Sequence, residues 1–245
     1  MIGLAAPIMR GAPVITIEPR RALRALAALT RNPDDTAQVF TLIEALSGVR
    51  TPLWIVRRVG ATANGARLLR ERPDIVKHLD RTTLQRLPEN TLARAYLRFV
   101  DAEGITAHGL RDASAQGQTN PLSVSPAVDF MRARMRDTHD LWHAVLGYQG
   151  DLVGEAALLA FTFAQTRNAA VGVLVLVGLA KLRSWEARSL IVNGFARGLR
   201  AAWLPEQPWE TLLPLSIEEV RRRLHVGAPP VYTPIRTDGI RATDQ

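Results

Sequence analysis

The chain has 245 residues, of which 47 % are hydrophobic and 22 % charged; this suits a soluble globular protein with one large domain or two small ones. It contains no cysteine, so disulfides and thiolate ligands are excluded and any metal must be held by nitrogen and oxygen. The net charge of +8 is carried almost wholly by arginine, Lys77 and Lys181 being the only lysines. Such a balance suits anionic partners or reflects composition alone, and no nucleic-acid-binding signature accompanies it, so nucleic acid is not an expected partner.

The opening "MIGLAAPIMRGAPVITIEP" has a short apolar run broken by Pro7 and no basic leader, so it does not read as a secretory signal. Residues 18–30 spell an amphipathic helix, with Leu23, Leu26 and Leu29 on one face and Pro19 in the first turn. Asp34 or Asp35 then caps a helix over 36–47 that Gly48 ends. Shorter helical pieces come next, at 52–63, 73–78 and 82–87. Asn90 or Thr91 caps the next helix, which carries Leu92, Ala95, Tyr96 and Phe99 on one face and stops at Gly104. Residues 106–125, rich in Ser, Gly, Gln, Asn and Asp, read as a long loop and a candidate mobile lid.

Beyond the loop, the pattern predicts one long helix over 126–146, a second over 151–166, an apolar third over 169–183, and further helices over 186–203 and 217–226. The longest apolar run, 169–180, is shorter than the roughly 20 residues a membrane-spanning helix needs. Almost nothing alternates with period two, and neither a repeat nor a long linker divides the chain. The expectation is therefore a single all-α domain over 1–245, with irregular ends at 1–17 and 227–245.

One stretch carries chemistry. In "RDTHDLWHAVLGYQGDLVGEAALLAF" the imidazoles of His139 and His143 stand four residues apart, about 40° from one another around a helix, with Asp140 on the adjoining flank. "GYQGD" should reverse the chain, with Asp151 capping the second helix of the pair. Taking Gln149 as the turn's centre, His143 and Glu155 lie six residues to either side, so an antiparallel hairpin sets them at similar height. Neutral imidazoles and carboxylates are ligands for Zn²⁺, Fe²⁺, Mn²⁺ or Co²⁺. The same spacing also arises among ordinary polar residues, with Asp140 orienting a histidine or pairing with Arg136. A zinc protease is disfavoured, because Asp140 stands where the H-E-x-x-H motif places its glutamate base. Leu158, Leu159, Phe161, Phe163 and the run 169–180 make a core, or a surface able to house a long apolar ligand.

These residues resemble the fourth of the Coq proteins of ubiquinone (coenzyme Q) biosynthesis. That family's hallmark, H-D-x-x-H followed after eleven residues by E, is matched by His139, Asp140, His143 and Glu155. "RNPDDTAQVFTLIEALSG", "LPENTLARAYLRFVDAEGI" and "PLSIEEVRRRLHV" are similar to family segments in the same order, so the likeness runs in patches from about residue 18 to about 231. No mitochondrial presequence is evident, and a bacterial member is expected. The resemblance implies an all-α homodimer whose four hallmark residues bind a divalent metal, usually zinc. It also implies a polyprenyl lipid ligand and a place on the membrane face where other ubiquinone enzymes assemble, here the cytoplasmic face of the inner membrane. The implied activity is a lyase reaction: C1 decarboxylation, in some members with hydroxylation, of a polyprenylated 4-hydroxybenzoate-type intermediate. The alternative it implies is a non-catalytic lipid-binding organiser of the biosynthetic complex. Two histidines with one carboxylate also form the facial triad of non-haem iron oxygenases, so iron suits an oxidative version.

Overall fold

The computed structural model describes residues 17–32, 35–47, 50–106 and 125–236, and among them the regular structure is helical apart from one isolated bridge. The first pair is α1 (Pro19–Arg31) and α2 (Thr36–Ser47), tied by a Glu18 N–H bond to the Ala45 carbonyl and by the Arg21–Glu44 ion pair. Of the face predicted for α1, Leu29 is buried and Leu23 is not. The contact is made by Ala22 and Ala25 instead, small side chains that let the two helices approach closely, while Leu23 stays 65 % exposed. The candidate lid lies almost wholly outside the described residues, as do Asp34, Gly48, residues 1–16 and residues 237–245.

Next come α3 (Arg50–Val59) and α4 (Ala63–Glu71), the latter not expected from the sequence. Thr62 caps α4 through its hydroxyl, and Gly65 lets the α3 backbone pass so close that a Cβ there would sit 2.0 Å from the Val59 carbonyl oxygen. A 3₁₀ turn at Ile75–His78 and the short α5 (Arg81–Gln85) lead to α6 (Leu92–Glu103). Thr91 rather than Asn90 caps α6. Its partner across an isolated bridge is Ser216, itself the cap of a later helix, so two helix starts are locked together by Leu92 N–H to the Leu215 carbonyl and Ile217 N–H to that of Asn90.

The long helix predicted over 126–146 is two helices, α7 (Pro126–Asp137) and α8 (His139–Leu146). Thr138, at φ −96° and ψ −1°, leaves helical geometry for one residue, although its N–H still reaches Arg134 and its carbonyl still accepts from Trp142. Tertiary anchoring explains the break. Arg134 ties α7 to the C-terminal region, whereas α8 packs on α6, and no single straight rod satisfies both.

After a turn come α9 (Leu152–Thr166), α10 (Ala169–Lys181) and α11 (Trp185–Arg200), the last ending three residues before the predicted Trp203. A 3₁₀ turn at Leu204–Glu206, then α12 (Trp209–Leu212) and α13 (Ile217–Arg223), complete the order. The centre of the molecule is α9. Its contact with α11 is close because Gly194 and Gly198 face it: a Cβ on either would come within 2.4 and 2.6 Å of the Ala157 and Phe161 carbonyl oxygens. The main core gathers Tyr96, Trp142, Tyr148, Phe161, Leu204 and Trp209 with aliphatic side chains from α6, α8, α9 and α13. Burial of this kind stabilises at roughly 25 cal/mol per Å² of apolar surface. Residues 227–236 form no regular element and lie against the α8–α9 turn. No single helix among the described residues is long and apolar enough to cross a membrane; Ala37–Leu46 and Thr51–Val59 pass that test only together, across an 88° bend.

Candidate metal centre

The hairpin expected from the spacing is present. Gly147, at φ +77°, ends α8 in the left-handed region that glycine enters without strain, and its N–H caps the His143 carbonyl. Asp151 opens α9, accepting from the N–H groups of Val153 and Gly154. The reversal brings His143 Nε2 to 3.2 Å from Glu155 Oε1 and His139 Nε2 to 3.8 Å from Glu155 Oε2. One ligand atom from each of His139, His143 and Glu155 lies within 4.8 Å of the other two. Asp140, the fourth residue of the expected set, stands behind them: its Oδ1 is 3.1 Å from His139 Nδ1.

Proton positions assign the free nitrogens. His143 Nδ1 lies 3.1 Å from the Tyr148 carbonyl oxygen, and a carbonyl only accepts, so Nδ1 donates and Nε2 is the nitrogen turned to the cluster. In the same way the Asp140 carboxylate accepts a hydrogen bond from His139 Nδ1 and turns Nε2 toward the cluster. His143 Nε2 is buried and faces the Glu155 carboxylate. The donor set of two imidazole nitrogens and a carboxylate fits a divalent metal.

Burial pushes the Glu155 carboxyl up, but the neighbouring His143 and then His139 outweigh it and pull it down to about 2. Burial pulls His139 down, yet the Asp140 hydrogen bond and the Glu155 and Asp140 charges leave it above its ordinary value. His143 is sealed at 0 % exposure, whereas the His139 and Glu155 side chains are 31 % and 41 % exposed, so the cluster is closed from inside and open at its rim.

Several supporting groups were not assigned from sequence. The Phe99 ring stacks on His143, centroids 4.6 Å apart and planes 13° from parallel. Its place on the α6 face with Tyr96 was legible, its partner was not. Asp151, read only as a cap, also accepts from the Tyr232 hydroxyl and the Ile235 N–H, while that hydroxyl accepts from Gln149 N–H. Glu103 binds Gly150 N–H and the Arg236 guanidinium. The turn that sets the histidine–glutamate distance is thus clasped by the C-terminal segment. Contacts separated by more than eighty residues leave no local signal in the chain.

The profile of the family described as "Coenzyme Q (ubiquinone) biosynthesis protein Coq4" matches residues 20–230. A mitochondrial ubiquinone biosynthesis protein coq4 from Botryotinia fuckeliana is 33 % identical over 187 residues, covering 73 % of this chain and 64 % of that protein, so the chain spans just under two thirds of that relative's length. The Penicillium rubens protein of the same name is 31 % identical over 233 residues, covering 91 % of this chain and 78 % of the relative. The crystal structure of a protein from Nostoc punctiforme PCC 73102, ascribed to ubiquinone biosynthesis, shares the fold at a TM-score of 0.63 and 23 % identity, covering 87 % of this chain and 100 % of its own. With the profile spanning the helices that build the hairpin, the chain belongs to the Coq4 family of ubiquinone biosynthesis proteins.

Proposed function

We propose that this protein is a metal-dependent lyase of ubiquinone biosynthesis that removes the C1 carboxyl group of a polyprenylated 4-hydroxybenzoate-type intermediate. The observation that carries the reading is the three-residue cluster itself: His143 closes it from within, while His139 and Glu155 leave a side free. Structural metal sites are saturated by protein ligands; catalytic ones keep a position for substrate or water. Zinc suits the donors, and iron, cobalt or manganese fit the same atoms. When bound, the metal supplies Lewis-acid polarisation of a phenolate or carboxylate oxygen.

The chain's residues hold the geometry. Asp140 and the Tyr148 carbonyl keep both Nδ1 protons in place, and Phe99 fixes the plane of the His143 ring. In the reaction the bond from C1 to the carboxyl carbon breaks, CO₂ leaves, and the electron pair stays on the ring until a proton takes C1. In an oxidative version dioxygen is the oxidant, taking two electrons and leaving as hydrogen peroxide while water supplies the hydroxyl that remains at C1, chemistry for which iron in this donor set is suited. A polyprenyl tail would be served by apolar surface, and Leu176, Trp185, Val192, Phe195 and Leu199 are exposed on α10 and α11. In this reading the protein acts as a homodimer with other ubiquinone enzymes, peripheral to the cytoplasmic face of a bacterial inner membrane, to which its net charge of +8 draws it.

Elemental analysis and single-protein turnover of a short-chain polyprenyl methoxy-hydroxybenzoate test the proposal, comparing wild type with Glu155→Gln. The expected result is about one divalent metal per chain in wild type, and loss of decarboxylation in Glu155→Gln with unchanged circular dichroism. Wild type inert with each metal supplied, aerobically and anaerobically, assigns the chain instead to organising the complex. Turnover untouched by Glu155→Gln places the chemistry elsewhere.

A further inference from the structure

A second cluster lies at the opposite end of α9. Where the C-termini of α3 and α9 meet, Trp54, Arg57, Arg58, Ala61 and Arg167 line a cleft of about 410 Å³. Arg58 lies over the Trp203 ring at 4.3 Å and over Trp54 at 5.5 Å, and Arg167 lies over Trp54 at 5.9 Å. The two indoles meet edge to face at 6.0 Å, and the Trp203 Nε1–H is already donated to the Gln165 carbonyl, so the aromatic floor is held rigid. Arg167 is separated from Glu155 by most of the length of α9, about 18 Å at a rise of 1.5 Å per residue. The cleft is therefore independent of the candidate metal centre.

Its charge is unbalanced. None of Arg57, Arg58 and Arg167 has an ion-pair or hydrogen-bond partner for its guanidinium among the described residues, and no acid lines the cleft. Other arginines are paired with acids, Arg134 with Glu210, Arg236 with Glu103, and Arg222 and Arg223 with Glu219. The two helix C-termini offset part of the charge, each contributing about −0.5. Three full positive charges against two such ends leave a surplus of about +2. A monocarboxylate neutralises only half of this, whereas a phosphate monoester carries about −1.5 to −2 and offers three oxygens to guanidinium forks.

We propose that the cleft lined by Arg57, Arg58 and Arg167 over Trp54 and Trp203 is a binding site for a phosphate-type oxyanion, a phosphate or diphosphate ester. Such a group comes either from a soluble ester or from the headgroup of an anionic lipid. Arg58 and Arg167, stacked on the indoles, form the wall and keep their N–H edges for the anion, and Arg57 supplies a third fork.

Calorimetric titration of the full chain with sodium diphosphate at low salt, and flotation with phosphatidylcholine vesicles with and without phosphatidate, separate the two sources. Saturable binding of diphosphate assigns a soluble ester, and retention only on phosphatidate vesicles assigns a lipid headgroup. In either arm Arg57→Gln and Arg167→Gln each weaken binding about tenfold or more, as expected for loss of a charge-assisted hydrogen bond. Arg57→Lys/Arg167→Lys, which keeps the charge but not the fork, retains part of it. Both positions are exposed, so circular dichroism should be unchanged. Glu155→Gln, which alters the metal centre alone, should bind as wild type. The proposal is overturned by absence of binding in both arms, by a double Gln variant that binds like wild type, or by binding that disappears in Glu155→Gln.

Discussion

At the residue scale the candidate centre depends on which nitrogen of each imidazole is free. Asp140 settles this for His139, and it does so from a buried position, 4 % exposed, beside Tyr96, whose hydroxyl is pushed above its ordinary value by burial first and by the Asp140 charge second. Carboxylates that hold a ligand histidine from behind commonly contribute about ten- to hundredfold to metal affinity. Asp140→Asn keeps the shape and can still accept from Nδ1, but removes the negative charge. Zinc affinity, read by competition with a chelating dye, should fall by about ten- to hundredfold with the fold retained. A larger loss, matching that of His143→Ala, would mean that Asp140 itself ligates the metal.

At the scale of elements, two contacts make testable demands. The closeness of α9 and α11 rests on Gly194 and Gly198, where any Cβ meets a backbone carbonyl that cannot rotate away. Gly194→Ala should therefore destabilise by about 1–3 kcal/mol despite the better helix propensity of alanine, and lower Tm by several degrees in a calorimetric scan. A neutral or stabilising result would show that the two helices can separate without loss. The second contact is the clasp on the α8–α9 turn. Asp151 accepts from Val153, Gly154, Tyr232 and Ile235, so Asp151→Ala removes a cap and orphans several donors. A loss of about 2–4 kcal/mol in urea unfolding is expected. Tyr232→Phe should cost about 1 kcal/mol and weaken metal binding, since the Gln149 N–H loses its acceptor at the turn that sets the ligand distance.

At the scale of the whole molecule, the Arg134–Glu210 pair holds α7 to α12 across the chain. The guanidinium is 1 % exposed and bidentate, at 2.7 and 2.9 Å, with a further bond to the Gln207 carbonyl. Burial raises the Glu210 carboxyl, but the Arg134 hydrogen bond and charge prevail and hold it below the ordinary glutamate value. The native state then binds fewer protons here than the unfolded chain, so the pair's stabilisation is complete above that unfolded value and is lost as pH falls through the lower native one. Glu210→Gln should cost about 3–5 kcal/mol at neutral pH by leaving a buried arginine unpaired. The difference from wild type should shrink in thermal scans taken progressively below pH ~4. A difference that stays constant over that range would separate the effect from Glu210 ionisation.

The helical class was legible because 3.6-residue periodicity is a local property, and so were the starts of α6 and α9, since the Thr91 hydroxyl and the Asp151 carboxylate act on N–H groups two or three residues away. The central pairing at the candidate site was equally local: His143 and Glu155 straddle one tight turn, and counting residues from Gln149 sufficed to bring them together. Tertiary contact decided the features that no local pattern carried. The break at Thr138 comes from two anchors pulling on one helix, and the exposed Leu23 from alanines that suit a close neighbour. The plane of the His143 ring is set by a ring from α6, and the turn that carries its Nδ1 acceptor by a tail more than eighty residues away. Short-range order arises from propensity and capping, which a few neighbouring residues determine; the direction of a buried side chain depends on whatever the rest of the chain packs against it, and only the folded molecule specifies that.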